Sequence, residues 1–182
     1  IAHVANKISK SIGIISKAKK YVSKSILRNL YYTFIYPYIS YCNSVWALAS
    51  HTLLNKIHIL QKRITCIICG ASMDAHSRPL FQGLEILNVF EINKLQLSVF
   101  TYKYVQNKLP VYFHNCFINI SDVHQHNTRA SRNFYIPYAR TDFANRTVKF
   151  QAPRVWNALP DKCKSIYNVK RFKKCVIEII LK

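Results

Sequence analysis

The first carboxylate in this chain is Asp74, and ten Lys and Arg residues precede it. No helix in that stretch can draw on i,i+4 ion pairs. Whatever forms there must be held by an apolar face, and the apolar residues fall at helical intervals. Over residues 1–22, Ile1, Val4, Ala5, Ile8, Ile12 and Ile15 cluster on one side. Lys7, Lys10, Lys17, Lys20 and Lys24 fall on the other, a face suited to phosphates.

Ser23 or Ser25 is placed to cap a second helix, which Pro37 must kink or end. Residues 29–50 carry no charge, yet they are rich in tyrosine, with Asn, Ser and Thr, and poor in Leu, Ile and Val. A buried helix pair fits that composition better than a membrane span. Ser50 caps a third helix that runs to Cys69 and stops at Gly70. Its apolar face is Leu53, Leu54, Ile57, Leu60, Ile64, Ile67 and Ile68, with Lys56, Lys62 and Arg63 off that face. Ser77-Arg78-Pro79 starts a short helix to Gly83, and Asn88 starts a longer one to Asn107, stopped by Pro110. Its core candidates are Val89, Ile92, Leu95, Val99 and Phe100. The expectation is a mainly α chain, with a helical bundle over 1–110.

Beyond Pro110 the texture changes, and 111–182 reads as a less regular basic segment docked on the bundle. A short helix fits 111–118, and the polar stretch 121–133 fits a loop. "FYIPY" (134–138) and "RTVKF" (146–150) are candidates for a short β-hairpin. Trp156–Leu159 reads as a packed turn, and 165–182 as a terminal helix with Val169, Phe172, Val176, Ile177 and Ile180 apolar.

Charge narrows the function classes. Twenty-seven basic residues against seven acidic ones leave a formal +20. A compact chain so charged repels itself unless an acidic partner neutralises it. Nucleic acid is the first candidate and an anionic membrane surface the second. Two-metal catalysis needs converging carboxylates. Asp74, Glu85, Glu91, Asp122, Asp142, Asp161 and Glu178 are spread singly along the chain. Cys66 and Cys69 form a CxxC inside a helix, without the second pair that a zinc site requires. They read as buried thiols, as do Cys42, Cys116, Cys163 and Cys175, all expected to be reduced. His124 and His126 form an HxH two residues after Asp122, read as loop residues rather than metal ligands. With three glycines in the chain, a Gly-rich phosphate loop is excluded. A first residue other than Met is what a piece of a longer polypeptide would show.

Several motifs carry a family likeness. Lys7-Ile8, Leu30-Tyr31, Pro37-Tyr38, Tyr41-Cys42, Trp46 and the Leu60–Arg63 stretch "LQKR" occur in that order. Downstream come His126-Asn127-Thr128-Arg129, Arg140-Thr141 and "PRVWNALP" (153–160). This series resembles the region after the catalytic palm in reverse transcriptases of jockey-like non-long-terminal-repeat retrotransposons. Ala152 stands where that family usually has Gly.

The resemblance implies a thumb and downstream region, without catalytic residues of its own. The paired aspartates, and the magnesium they hold, would belong to a palm preceding Ile1. Such a thumb grips primer–template or element RNA: RNA, DNA or an RNA–DNA hybrid. A stand-alone basic nucleic-acid-binding remnant is the alternative. The implied setting is the nucleus, at genomic DNA, or a cytoplasmic ribonucleoprotein. The basic contacts expected are Lys7, Lys10, Lys17, Lys20, Lys24, Arg28, Lys62, Arg63, Arg129, Arg132, Arg140, Arg146, Lys149 and Arg154. Trp156 reads first as core and second as a base-stacking platform.

Overall fold

The computed structural model describes residues 1–123 and 133–181. It is mainly helical, and its described residues contain no β-strand, only an isolated antiparallel bridge between Asn119 and Phe134. It divides into two compact units, Ile1–Asn93 with Leu181, and Lys94–Ile180. The composition change lies at Pro110, whereas the contact boundary falls earlier, inside a helix.

The first unit holds α1 (Ala2–Ala18), α2 (Lys24–Phe34), α3 (Tyr36–Ser40), α4 (Asn43–Trp46), α5 (His51–Cys69), α6 (Ser77–Leu84) and the start of α7 (Val89–Val105). Helix α1 packs on α2, α3 and α5, and α5 packs also on α2 and α6. Most of the expected apolar faces form the core: Ile8, Ile12 and Ile15 of α1 are buried, as are Leu54, Ile57, Ile64, Ile67 and Ile68 of α5, whereas Leu53, in the first turn of α5, is exposed and Leu60 only half-buried. Helix α5 begins after Ser50 and ends at Gly70, whose φ of +68° is the left-handed conformation that glycine adopts without strain.

Helix α1 stops at Ala18, short of the expected 22. The row of five lysines therefore does not share one helix. Lys7, Lys10 and Lys17 belong to α1, Lys20 to the following turn, and Lys24 opens α2. The Lys17, Lys19 and Lys20 cluster closes α1 at the end where cations oppose the helix dipole favourably.

Pro37 acts as its chemistry requires. It sits in the first turn of α3, where its missing N–H is harmless. The chain bends between α2 and α3, and the Tyr38 N–H goes to the Ile35 carbonyl. That leaves the Phe34 carbonyl without its helical donor, and the Ser11 hydroxyl of α1 donates to it at 3.2 Å. A buried serine on the apolar face of α1 thus satisfies the helix break.

Helix α7 opens with a reciprocal cap. The Asn88 side-chain oxygen accepts from the Phe90 and Glu91 N–H groups, and a Glu91 carboxylate oxygen accepts from the Asn88 N–H at 2.8 Å.

The second unit continues α7 and adds a 3-10 turn (Val111–Phe113), α8 (Ile120–Val123), α9 (Asp142–Arg146), α10 (Val148–Asn157), α11 (Asp161–Lys164) and α12 (Val169–Leu181). Only a 3-10 turn forms where a short helix at 111–118 is expected. Its core is aromatic: Tyr102 stacks on Phe172 at 4.4 Å, and Trp156 lies 6.1 Å from Phe172 and 6.4 Å from Phe134. The buried Tyr102 hydroxyl donates to the Tyr167 carbonyl.

The hairpin expected from 134–138 and 146–150 does not form. Residues 146–150 are instead the end of α9 and the start of α10. Thr147 and Val148 are β-formers by propensity. Here Thr147 is the N-cap of α10, and Ala152 and Trp156 bury one side of that helix. Trp156 is accordingly helical rather than part of a packed turn. The expectation of six reduced cysteines is also corrected: Cys163 and Cys175 are disulfide-bonded, joining α11 to α12 across a Cα separation of 6.1 Å.

Candidate nucleic-acid interface

The α1 lysines stand on solvent. Lys10 and Lys17 lie on one face about 10 Å apart along the axis, with Lys7 flanking them. All three are exposed and none pairs with a carboxylate among the described residues. Ile14, 61% exposed, sits between them, and Tyr21, 86% exposed, follows in the turn with Lys19 and Lys20. The physical result is a row of exposed cations on one helix, a geometry suited to meeting phosphates without reading bases.

Lys24 and Arg28 line a cleft of about 410 Å³ with Gln82 and Glu85. Arg28 is not free: its guanidinium meets the Glu85 carboxylate at 3.2 Å and lies 5.8 Å from the Tyr32 ring centroid. The Tyr32 hydroxyl donates to the Glu85 carbonyl, fixing that corner. On α5, Arg63 is exposed and Lys62 half-buried.

In the second unit Arg140 and Lys149 are exposed. Arg146 pairs with Asp142 at 3.1 Å, and Arg154 donates to the Asn145 side-chain oxygen at 2.8 Å. Thr141, next to Arg140, caps α9 by accepting from the Ala144 N–H. Arg129 and Arg132 lie outside the described residues, as do His124 and His126. Trp156 is only 4% exposed, so its stacking role is excluded and its packing role stands.

A denser basic set escapes the motif-based reading. Lys162, Lys164, Lys170, Arg171, Lys173 and Lys174 occupy α11 and α12, and all but Lys164 are exposed. The signal was the local run "VKRFKK" itself, which periodicity assigns to the polar side of a helix rather than to a site.

Among the described residues no group of three or more His, Cys, Asp or Glu is placed to hold a metal ion. Cys66 is buried in α5, and that burial pushes its thiol above the ordinary range. Burial likewise raises the Tyr31 phenol well above its usual value and lowers His58, with His51 and Lys62 adding to the latter effect. Tyr31 and Cys66 are core groups, and His58 is half-buried against Phe81 and Phe90. Among the described residues no helix is long and apolar enough to cross a membrane.

No family model, curated protein or solved structure matches this chain.

Proposed function

We propose that this chain is a non-catalytic, nucleic-acid-gripping part of an RNA-directed DNA polymerase of the jockey-like retrotransposon type. It would hold primer–template or element RNA behind a palm supplied by the same longer polypeptide, in the nucleus or in a ribonucleoprotein. The observation that carries the proposal is the unpaired lysine row of α1, in a stretch of 73 residues without one carboxylate. The helical first unit supplies the rigid support that such a grip requires, and the α12 cations add a second basic surface.

The test is binding of the full chain to an RNA–DNA hybrid duplex across a salt series. Affinity should fall steeply as salt rises, because released counterions supply most of it. A flat response, or no binding at low salt, defeats the proposal.

A further inference from the structure

The second unit contains a hollow that neither the motifs nor the lysine row accounts for. It encloses about 340 Å³ and is walled by Phe100, Phe113 and Phe117, with Val148 on one side. Two stretches of chain supply the rings: α7, and the 3-10 turn with the segment that follows it. Phe100 meets Phe113 edge-to-face at 5.5 Å and Phe117 edge-to-face at 6.3 Å. Phe113 remains 37% exposed, so this wall of the hollow reaches solvent.

The rim decides which guest. Among the described residues Lys149 is the one charged residue lining the hollow, no carboxylate lines it, and Asn115 brings an amide with both donor and acceptor. Residues 94–180 carry fifteen basic and four acidic residues, 15 − 4 = +11, so the surrounding field favours an anion. The volume lies at the lower end of small-ligand clefts, which begin near ~300 Å³. It suits one base with its sugar and is too small for a duplex end.

We infer that this hollow is a subsite for a single unpaired nucleotide: the base enters among Phe100, Phe113 and Phe117, Asn115 meets its edge, and Lys149 holds its phosphate. The inference rests on the nucleic-acid-binding function proposed above and gives that function a preference for single-stranded segments. Every base offers an aromatic face, so the preference is tolerant of sequence.

The experiment compares the full chain with Phe113→Ala, Phe113→Trp and Lys149→Gln. The probes are a short single-stranded oligodeoxythymidine carrying one aminopurine, and a blunt duplex of equal charge. In the wild-type chain the aminopurine fluorescence should be quenched on binding. Phe113→Ala should weaken the single strand roughly tenfold and leave the duplex unchanged, since stacking acts on unpaired bases. Phe113→Trp should restore the affinity. Lys149→Gln, at an exposed position, should make the salt dependence for the single strand shallower by roughly 0.7. Equal loss on both probes, unquenched fluorescence, or no effect of any variant overturns the subsite. If the wild-type chain binds neither probe nor an RNA–DNA hybrid, the proposed function falls with it; if a duplex or the hybrid binds but the single strand does not, or the variants do nothing, only the subsite falls.

Discussion

The Asn157 side chain clasps the backbone of Phe134 from both sides. Its oxygen accepts from the Phe134 N–H at 3.0 Å, and its amide donates to the Phe134 carbonyl at 2.8 Å. This is the structural content of the Trp156-Asn157 pair: the indole packs against the Phe134 ring while the neighbouring amide holds the Phe134 backbone. One turn of α10 thereby fixes a segment that belongs to no regular element. Replacing Asn157 with Ala removes both bonds and leaves the two backbone groups of a buried residue unpaired. A loss of about 2 kcal/mol is expected in urea unfolding, at roughly 1 kcal/mol per bond. Asn157→Asp keeps the acceptor but sets a carboxylate oxygen against the Phe134 carbonyl, so its loss should be at least as large.

Gln61 plays the corresponding part in the first unit. It is fully buried on α5, where its amide nitrogen donates to the Tyr31 hydroxyl at 2.9 Å and to the Leu87 carbonyl at 3.2 Å, and its oxygen accepts from the Val89 N–H at 2.7 Å. One side chain thus links α2, α5 and the start of α7. Gln61→Met preserves volume but strands three polar groups in the interior. The expected cost is about 3 kcal/mol, more than for an exposed Gln such as Gln82, measured by the unfolding midpoint with the slope unchanged. A Gln61→Met variant as stable as the wild type would show that water reaches this site.

The two clasps differ in how far the sequence discloses them. Helix α5 is legible from end to end, because Ser50, the apolar period and Gly70 all specify the same element. Gln61 stands in that apolar stripe, four residues after Ile57 and three before Ile64, so its burial was signalled by position. Its partners were not, since Tyr31 and Leu87 lie on other elements. Residues 146–150 mislead for a different reason: local β-propensity is weak, and the burial of Ala152 and Trp156 outweighs it. The α1 lysines can be read from periodicity, but the neutralisation of Arg28 by Glu85 depends on α2 and α6 approaching across 57 positions of sequence.

His58 provides a pH test. Its ring lies stacked on Phe81 at 5.6 Å and tilted against Phe90 at 5.7 Å, while His51 also stacks on Phe90 at 4.9 Å. Burial, then His51 and Lys62, lowers its pKa from the ordinary 6.5. The folded chain therefore holds His58 neutral where the unfolded chain would already be protonated. Stability from this site is complete above about pH 6.5 and declines as pH falls from there through the folded value. His58→Phe removes the titration without stranding a partner, because the Nδ1 atom has none. The stability gap between wild type and variant should shift in the variant's favour as pH drops below about 6.5. A constant gap would mean that His58 titrates normally.

The lysine row yields the sharpest quantitative expectation. Lys7, Lys10 and Lys17 are exposed and unpaired, so changing all three to Gln should leave the melting temperature essentially unchanged. Their effect belongs to binding. If each meets one phosphate, the slope of log affinity against log salt for a DNA duplex should become shallower by roughly 0.9 per lysine, or about 2.7 for the triple variant. Replacing Arg28 alone should alter the slope much less, because Glu85 already neutralises it. Lys170, Lys173 and Lys174 of α12 form the comparison set. If the α12 triple variant changes the slope and the α1 variant does not, the grip lies on the second unit, and the first serves as scaffold.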